Sequence, residues 1–171
     1  IFLPIQTGDY ALMTSSLDIR RTNPAAPAVR PLLTAHLAHT SETSDPEACH
    51  ALDLDALQAP GIDFFAAFED DTALGCGALM DLGNRQMEVK SVHVAQAARG
   101  RGIANQLMLA LHDIAARAGT QHILLETGSE LLPAFDPARA LYEALGYQYC
   151  EAFGAYQPHP QSAFMQLSLA E

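Results

Sequence analysis

The stretch Gln86–Gly119, QMEVKSVHVAQAARGRGIANQLMLALHDIAARAG, decides how the rest of the chain is arranged. Polar and apolar residues alternate through Met87-Glu88-Val89-Lys90-Ser91-Val92-His93-Val94, the period of two expected of a strand. From Ile103 the apolar residues fall at Ile103, Ala104, Leu107, Met108, Leu111, Ile114, Ala115 and Ala118. That is the i, i+3, i+4 spacing of a helix with one buried stripe, and Gly119 supplies its stop. The two elements meet at Arg99-Gly100-Arg101-Gly102-Ile103-Ala104, a turn that opens into a helix N-terminus.

Such a junction favours anions. The first turn of a helix has N–H groups with no internal partner, and the helix dipole adds partial positive charge. Gly100 and Gly102 bring no side chain, so an anion can approach the main chain, and Arg99 and Arg101 add charge beside it. A phosphate or pyrophosphate is the expected guest. A P-loop would close with Lys-Ser/Thr, but Ile103 follows Gly102. A dinucleotide fingerprint from Gly100 would need a third small residue where Asn105 stands. What remains is Arg-x-x-Gly-x-Ala from Arg99 to Ala104, between a strand and a helix. It resembles the acyl-CoA pyrophosphate motif of the GNAT superfamily of acyl-CoA-dependent N-acyltransferases, whose pattern is Gln/Arg-x-x-Gly-x-Gly/Ala.

Composition sets the bounds. With 171 residues and 49% hydrophobic content, the chain is long enough for one domain with a sizeable core. No apolar run approaches the length of a membrane span. Nine Lys plus Arg against twenty Asp plus Glu leave a net charge of −11, which disfavours nucleic acid and leans slightly towards a cationic acceptor. Cys49, Cys76 and Cys150 are odd in number and form no C-x-x-C, so a reducing cytoplasm is expected.

Residues 1–13 carry no basic signal region and read as a leader or expression remnant, with a single domain over 14–171. Leu17-Asp18-Ile19-Arg20 alternates as a first strand, and prolines 24, 27 and 31 lead into a helix from Val29 to Ala38. The polar stretch from Thr40 to Pro60 leaves room for a short helix from Pro46 to His50. Asp63–Glu69 and Thr72–Asp81 form a hairpin turned at Asp70-Asp71, with Gly75 and Gly77 marking close packing or a twist. Gln121–Thr127 is a compact apolar strand, parallel to the strand at 87–94 by the right-handed crossover rule. Asp136 and Pro137 start a helix striped by Ala138, Leu141, Tyr142 and Leu145 and ended by Gly146. Tyr147–Phe153 and Ala163–Leu169 are the last strands, joined by a rigid aromatic loop from Gly154 to Pro160.

This element order is similar to that of the GNAT fold, and the resemblance covers the chain from about Leu17 onwards. It implies an α/β (α+β) architecture, a mixed central sheet of about six to seven strands flanked by helices on both faces. Ala140-Leu141-Tyr142-Glu143-Ala144-Leu145-Gly146-Tyr147 resembles the family's helix-to-strand segment. His50-Ala51-Leu52-Asp53, Leu125–Ser129 and Ser162–Met165 resemble a bacterial subgroup of uncharacterised acetyltransferases.

The implied reaction moves acetyl from acetyl-CoA, as donor substrate, to a primary amine of a small molecule by direct attack; a degenerate acyl-CoA sensor is the alternative. The chemistry needs a neutral amine, a polarised carbonyl and a proton for the departing thiolate. By resemblance, Val92, His93 and Val94 offer their backbone to the pantetheine and thioester from a bulged, splayed strand. Arg99, Gly100, Arg101, Gly102, Ile103 and Ala104 hold the pyrophosphate. Tyr142 matches the family's proton donor, although a core aromatic is the plainer reading of its apolar stripe. Glu126 matches a proton acceptor of related enzymes and sits where α/β sheets gather ligands. Glu88 is a second candidate base; its register with Lys90 also fits a solvated or cross-strand-paired glutamate. His50 with Asp53, and Tyr156, are candidates for the acceptor pocket. The family's pantetheine-holding Asn, seven residues before the tyrosine, is Phe135 here, so the Ser129 loop would have to substitute. His36 and His39 lack a third ligand pattern, and no metal is expected. A homodimer is in keeping with the family.

Overall fold

A computed structural model describes residues 17–46 and 52–169. The elements in order are β1 (Asp18–Arg21), α1 (Arg30–Thr43), α2 (Leu54–Leu57), β2 (Ile62–Glu69), β3 (Thr72–Gly83) and β4 (Gln86–Val94). After these come α3 (Ile103–Arg117), β5 (His122–Gly128), α4 (Asp136–Ala144), β6 (Gln148–Cys150) and β7 (Ser162–Ser168). One mixed sheet of seven strands runs β1-β2-β3-β4-β5-β7-β6. The first four strands form an antiparallel meander, β4 and β5 are parallel, and β7 lies antiparallel between β5 and β6.

The sheet is covered on both faces because the central strands are apolar on both. Along β2, Phe64, Ala66 and Phe68 join Val29, Leu32 and Leu33 around α1 and Leu57 of α2. Phe65 points the other way, with Leu79 and Val89, onto the α3 stripe of Leu107, Met108, Leu111 and Ala115. Each fully buried leucine there contributes about 1.5–3 kcal/mol. Tyr142 of α4 and Tyr147 close the same cluster. Gly75 and Gly77 let α3 approach the sheet: a Cβ on Gly77 would lie 3.1 Å from Leu111 Cδ1, and one on Gly75 3.3 Å from Ile103 Cγ2. Gly77→Ala is therefore expected to lower stability by about 1–3 kcal/mol in urea unfolding. No loss would mean that α3 can retreat freely.

Two boundaries differ from the sequence expectation by more than two residues. The first long helix runs to Thr43 instead of ending at Ala38; within its last turns the Thr40 and Thr43 hydroxyls, which would otherwise compete for the main chain, donate back to the carbonyls of His36 (3.1 Å) and His39 (2.5 Å). The Pro46–His50 helix falls largely outside the described residues, as do residues 1–13; the short helix that is seen starts at Leu54, with Asp53 accepting from the Ala56 N–H at 2.9 Å. The strand expected to reach Phe153 stops at Cys150, where its pairing with β7 ends at Phe164.

The site is set by a fault in the middle of the sheet. Cys76 pairs with His93 and Ala78 with Lys90, so β4 advances three residues while β3 advances two. The extra residue is absorbed by a bulge at Ser91, whose φ of 55° is left-handed. On its other edge, β4 pairs with β5 only from Gln86↔His122 to Glu88↔Leu124. Beyond that point the two parallel strands diverge.

Candidate active site

Three adjoining cavities that share wall residues run from the Arg-Gly turn along the diverging strands. The first, of about 410 Å³, is lined by Val92, His93 and Val94 of β4, by Arg99, Gly100, Gly102, Ile103 and Ala104 of the turn, and by Phe135 and Tyr142. The sequence thus places one contiguous set of candidate donor contacts around one channel. Gly100 and Gly102 have φ of 78° and 75°, and a Cβ on either would meet nothing within 4 Å, so the space over the turn is open. Gly102 is the N-cap of α3, and the first helical N–H to find a main-chain partner there is that of Gln106, 3.1 Å from the Gly102 carbonyl. The preceding amides of the helix mouth are left for a ligand.

Of the two arginines, only Arg99 lines the channel; its Nε donates to the Val94 carbonyl at 3.3 Å. Arg101 turns to Glu69 on β2 at 2.5 Å and is half exposed there, so its guanidinium does not lie in the channel wall. His36 of α1 and His93 stack edge to face at 5.4 Å. Burial pushes both imidazoles down to about 4, helped for His36 by His93 and for His93 by Arg99. The channel wall is consequently uncharged at these rings near neutral pH.

The second cavity is a neck of about 110 Å³ that shares His36, Val92, Phe135 and Tyr142 with the channel and adds Glu88, Lys90, Ser91, Glu126 and Tyr156. Tyr142 is 8% exposed. Burial, and next the charge of Glu126, push its phenol up to about 12, so it stays protonated. Glu126 sits on β5 just past the last β4–β5 pair. Burial pushes its carboxyl up to about 7; the Ser162 hydroxyl and Lys90 pull it back, and Glu88 pushes the same way as burial. One cavity thus holds a carboxyl pushed up to about 7 beside a phenol that keeps its proton.

Glu88 is neither solvated nor paired across strands. It is 2% exposed, receives Lys90 Nζ from two residues along the same strand at 2.8 Å, and accepts the Tyr156 hydroxyl at 2.5 Å. Lys90 Nζ also donates to the Tyr156 oxygen at 2.5 Å. Burial and the Glu88 carboxylate raise the Tyr156 phenol well above its ordinary value. This triad separates the neck from a third cavity of about 660 Å³, the vestibule, whose walls include Met80, Leu82, Phe153 and Pro158.

Other expectations fare differently. His50 lies outside the described residues, and Asp53 is occupied in capping α2 instead of lining the vestibule, where Leu52 is found. Ser129 does not line the channel: its hydroxyl bonds the Pro160 carbonyl at 2.6 Å and receives the Leu131 N–H, which fixes the loop after β5. Arg139 pins the same loop through the Gly128 and Ser129 carbonyls at 2.6 Å each. Phe135 stands over Gly128, where a Cβ would meet its ring at 2.4 Å, and presents an apolar wall in place of an amide. Lys90 and His36 escaped sequence reasoning. The signal for Lys90 was its i, i+2 spacing from Glu88, which puts both on one face. Cys76 is buried, with a thiol pushed up to about 12, and is unsuited to carry an acyl group. No three-residue metal cluster occurs among the described residues, and none of their helices is long and apolar enough to cross a membrane.

Residues 30–147 match the sequence profile of the acetyltransferase (GNAT) family. The uncharacterized N-acetyltransferase YsnE of Bacillus subtilis is 41% identical over 138 residues, 81% of this chain and 90% of that protein. An IAA acetyltransferase of Azospirillum brasilense is 35% identical over 156 residues, 90% of this chain and 99% of that protein. The crystal structure of a protein from Klebsiella pneumoniae, assigned as an acyl-CoA N-acyltransferase, superposes with a TM-score of 0.76 at 30% identity, covering 91% of this chain and 99% of that one. The chain belongs to the GNAT family of acetyltransferases.

Proposed function

We propose that the protein is an N-acetyltransferase that moves acetyl from acetyl-CoA to a primary amine of a small molecule by direct attack. The observation that supports this reading is the row of three adjoining cavities from the Arg-Gly turn through the neck to the vestibule, with Glu126 and Tyr142 in the neck between the other two. The free N–H groups at the mouth of α3 would receive the pyrophosphate. The backbone of Val92, His93 and Val94, released from β5, would receive the pantetheine arm and orient the thioester. Phe135 would give that arm an apolar contact. Cys76 and Cys150 are free thiols, which supports a reducing cytoplasm as the compartment.

Glu126, as the carboxylate, takes a proton from the acceptor ammonium. The neutral nitrogen forms a bond to the thioester carbon, the carbon–sulfur bond breaks, and the departing thiolate takes the proton of Tyr142. The nitrogen, positively charged once bonded, gives up its second proton to return Tyr142 to a phenol, and Glu126 releases its proton to solvent with the product. The two residues act in sequence. The Glu126 charge is one of the causes that hold the Tyr142 proton, so protonating Glu126 makes Tyr142 the stronger acid. Neither step needs a thiol or a metal of the protein.

Gly102→Val tests the donor site. A β-branched residue is strained at φ 75°, and its side chain would stand in the open space over the turn. Acetyl-CoA affinity measured by calorimetry is expected to fall by about tenfold or more. Unchanged affinity would move the pyrophosphate elsewhere.

A further inference from the structure

The vestibule has a composition that the chain's net charge of −11 does not foreshadow. Met80 and Leu82 stand two residues apart on β3, on the same face, and are both half-buried. Phe153 and Pro158 face them from the last loop. That loop is built into the core: Phe153 meets the rings of Tyr156 and Phe164 edge to face at 5.1 and 5.8 Å, and the Tyr156 N–H bonds the Phe153 carbonyl at 3.1 Å. Among the described lining residues, the carboxylate and the ammonium are Glu88 and Lys90, which neutralise each other at 2.8 Å; Tyr156, Gln157 and His159 are the other polar side chains.

We infer that this vestibule selects a monoamine carried on an uncharged apolar body, an alkyl or arylalkyl amine, and that the Glu88–Lys90–Tyr156 triad disfavours acceptors with a second charged group. The inference rests on the acetyl-transfer reading above. An apolar body of phenylethyl size displaces water from Met80, Leu82, Phe153 and Pro158, while its single ammonium reaches the triad, which also borders the neck that holds Glu126. A second ammonium left behind would lie against apolar walls beside Lys90, with Glu88 already bonded by both Lys90 and Tyr156. A carboxylate on the acceptor would stand near Glu88 and find Lys90 engaged. Burying either charge without a partner is costly, so the discrimination works against diamines and amino acids alike.

The test compares initial rates of CoA release with 2-phenylethylamine, spermidine and L-phenylalanine on the full chain. The expected kcat/KM for 2-phenylethylamine exceeds each of the others by about tenfold or more. Leu82→Glu, at a half-buried position outside the core, is expected to lower the value for 2-phenylethylamine by about tenfold and raise that for spermidine, with acetyl-CoA affinity by calorimetry unchanged. Preference for spermidine or L-phenylalanine, or a Leu82→Glu variant with the native preference, overturns the inference and leaves acetyl transfer standing. Bound acetyl-CoA with no transfer to any of the three overturns both.

Discussion

Tyr142→Phe is expected to lower kcat by about 10²-fold or more while acetyl-CoA affinity stays within about twofold. The substitution keeps the ring that packs with Tyr147 at 5.8 Å and removes the one phenol proton shared by the donor channel and the neck. The effect should fall on kcat because the departing sulfur acquires charge only as the carbon–sulfur bond breaks. Steady-state CoA release, with calorimetry for binding, separates the two quantities. A variant with native kcat would return Tyr142 to a purely structural place in the α3–α4 core.

Glu126→Gln should cost a similar factor and should also change the shape of the pH profile. With the carboxyl pushed up to about 7, the native enzyme holds the base in its active, unprotonated form above that pH and loses it below. In kcat/KM, log activity is therefore expected to rise by about one unit per pH unit up to about pH 7, then to level off until the amine itself titrates. His36 and His93, both pushed down to about 4, cannot supply this break. The glutamine variant should lack it. If the break near 7 survives in Glu126→Gln, the base is another group, with Glu88 next in line because it shares the neck.

The strand, turn and helix of residues 86–119 were legible because hydrophobic period, glycine placement and helix-mouth chemistry all point one way there. The pair Gly75 and Gly77 marked close packing or a twist, and the approach of Ile103 to Gly75 and of Leu111 to Gly77 supplies the packing partner, α3. The bulge was less open to reading: Ser91 is not a glycine, and only the register between β3 and β4 reveals its left-handed φ. The alternative for Glu88, a solvated or cross-strand-paired side chain, fails for a related reason. Alternation says which face a residue occupies, not whether that face is covered, and here the Phe153–Pro158 loop, distant in sequence, covers it. Tyr156 could be named as a candidate, but its bonds to Glu88 and Lys90 join residues 68 and 66 positions apart, a distance over which no local pattern carries information. Arg101 shows the converse. Its motif position is legible, yet Glu69 on a neighbouring strand decides where its side chain goes.

The most direct measurement follows product and protein together by mass spectrometry, with acetyl-CoA and 2-phenylethylamine, spermidine and L-phenylalanine each offered as acceptor. The account predicts that acetylated amine forms in step with CoA release and that the mass of the intact protein does not change, as direct attack requires. Acetyl-CoA that binds without any amine becoming acetylated, or an acetyl group accumulating on the protein, would contradict it.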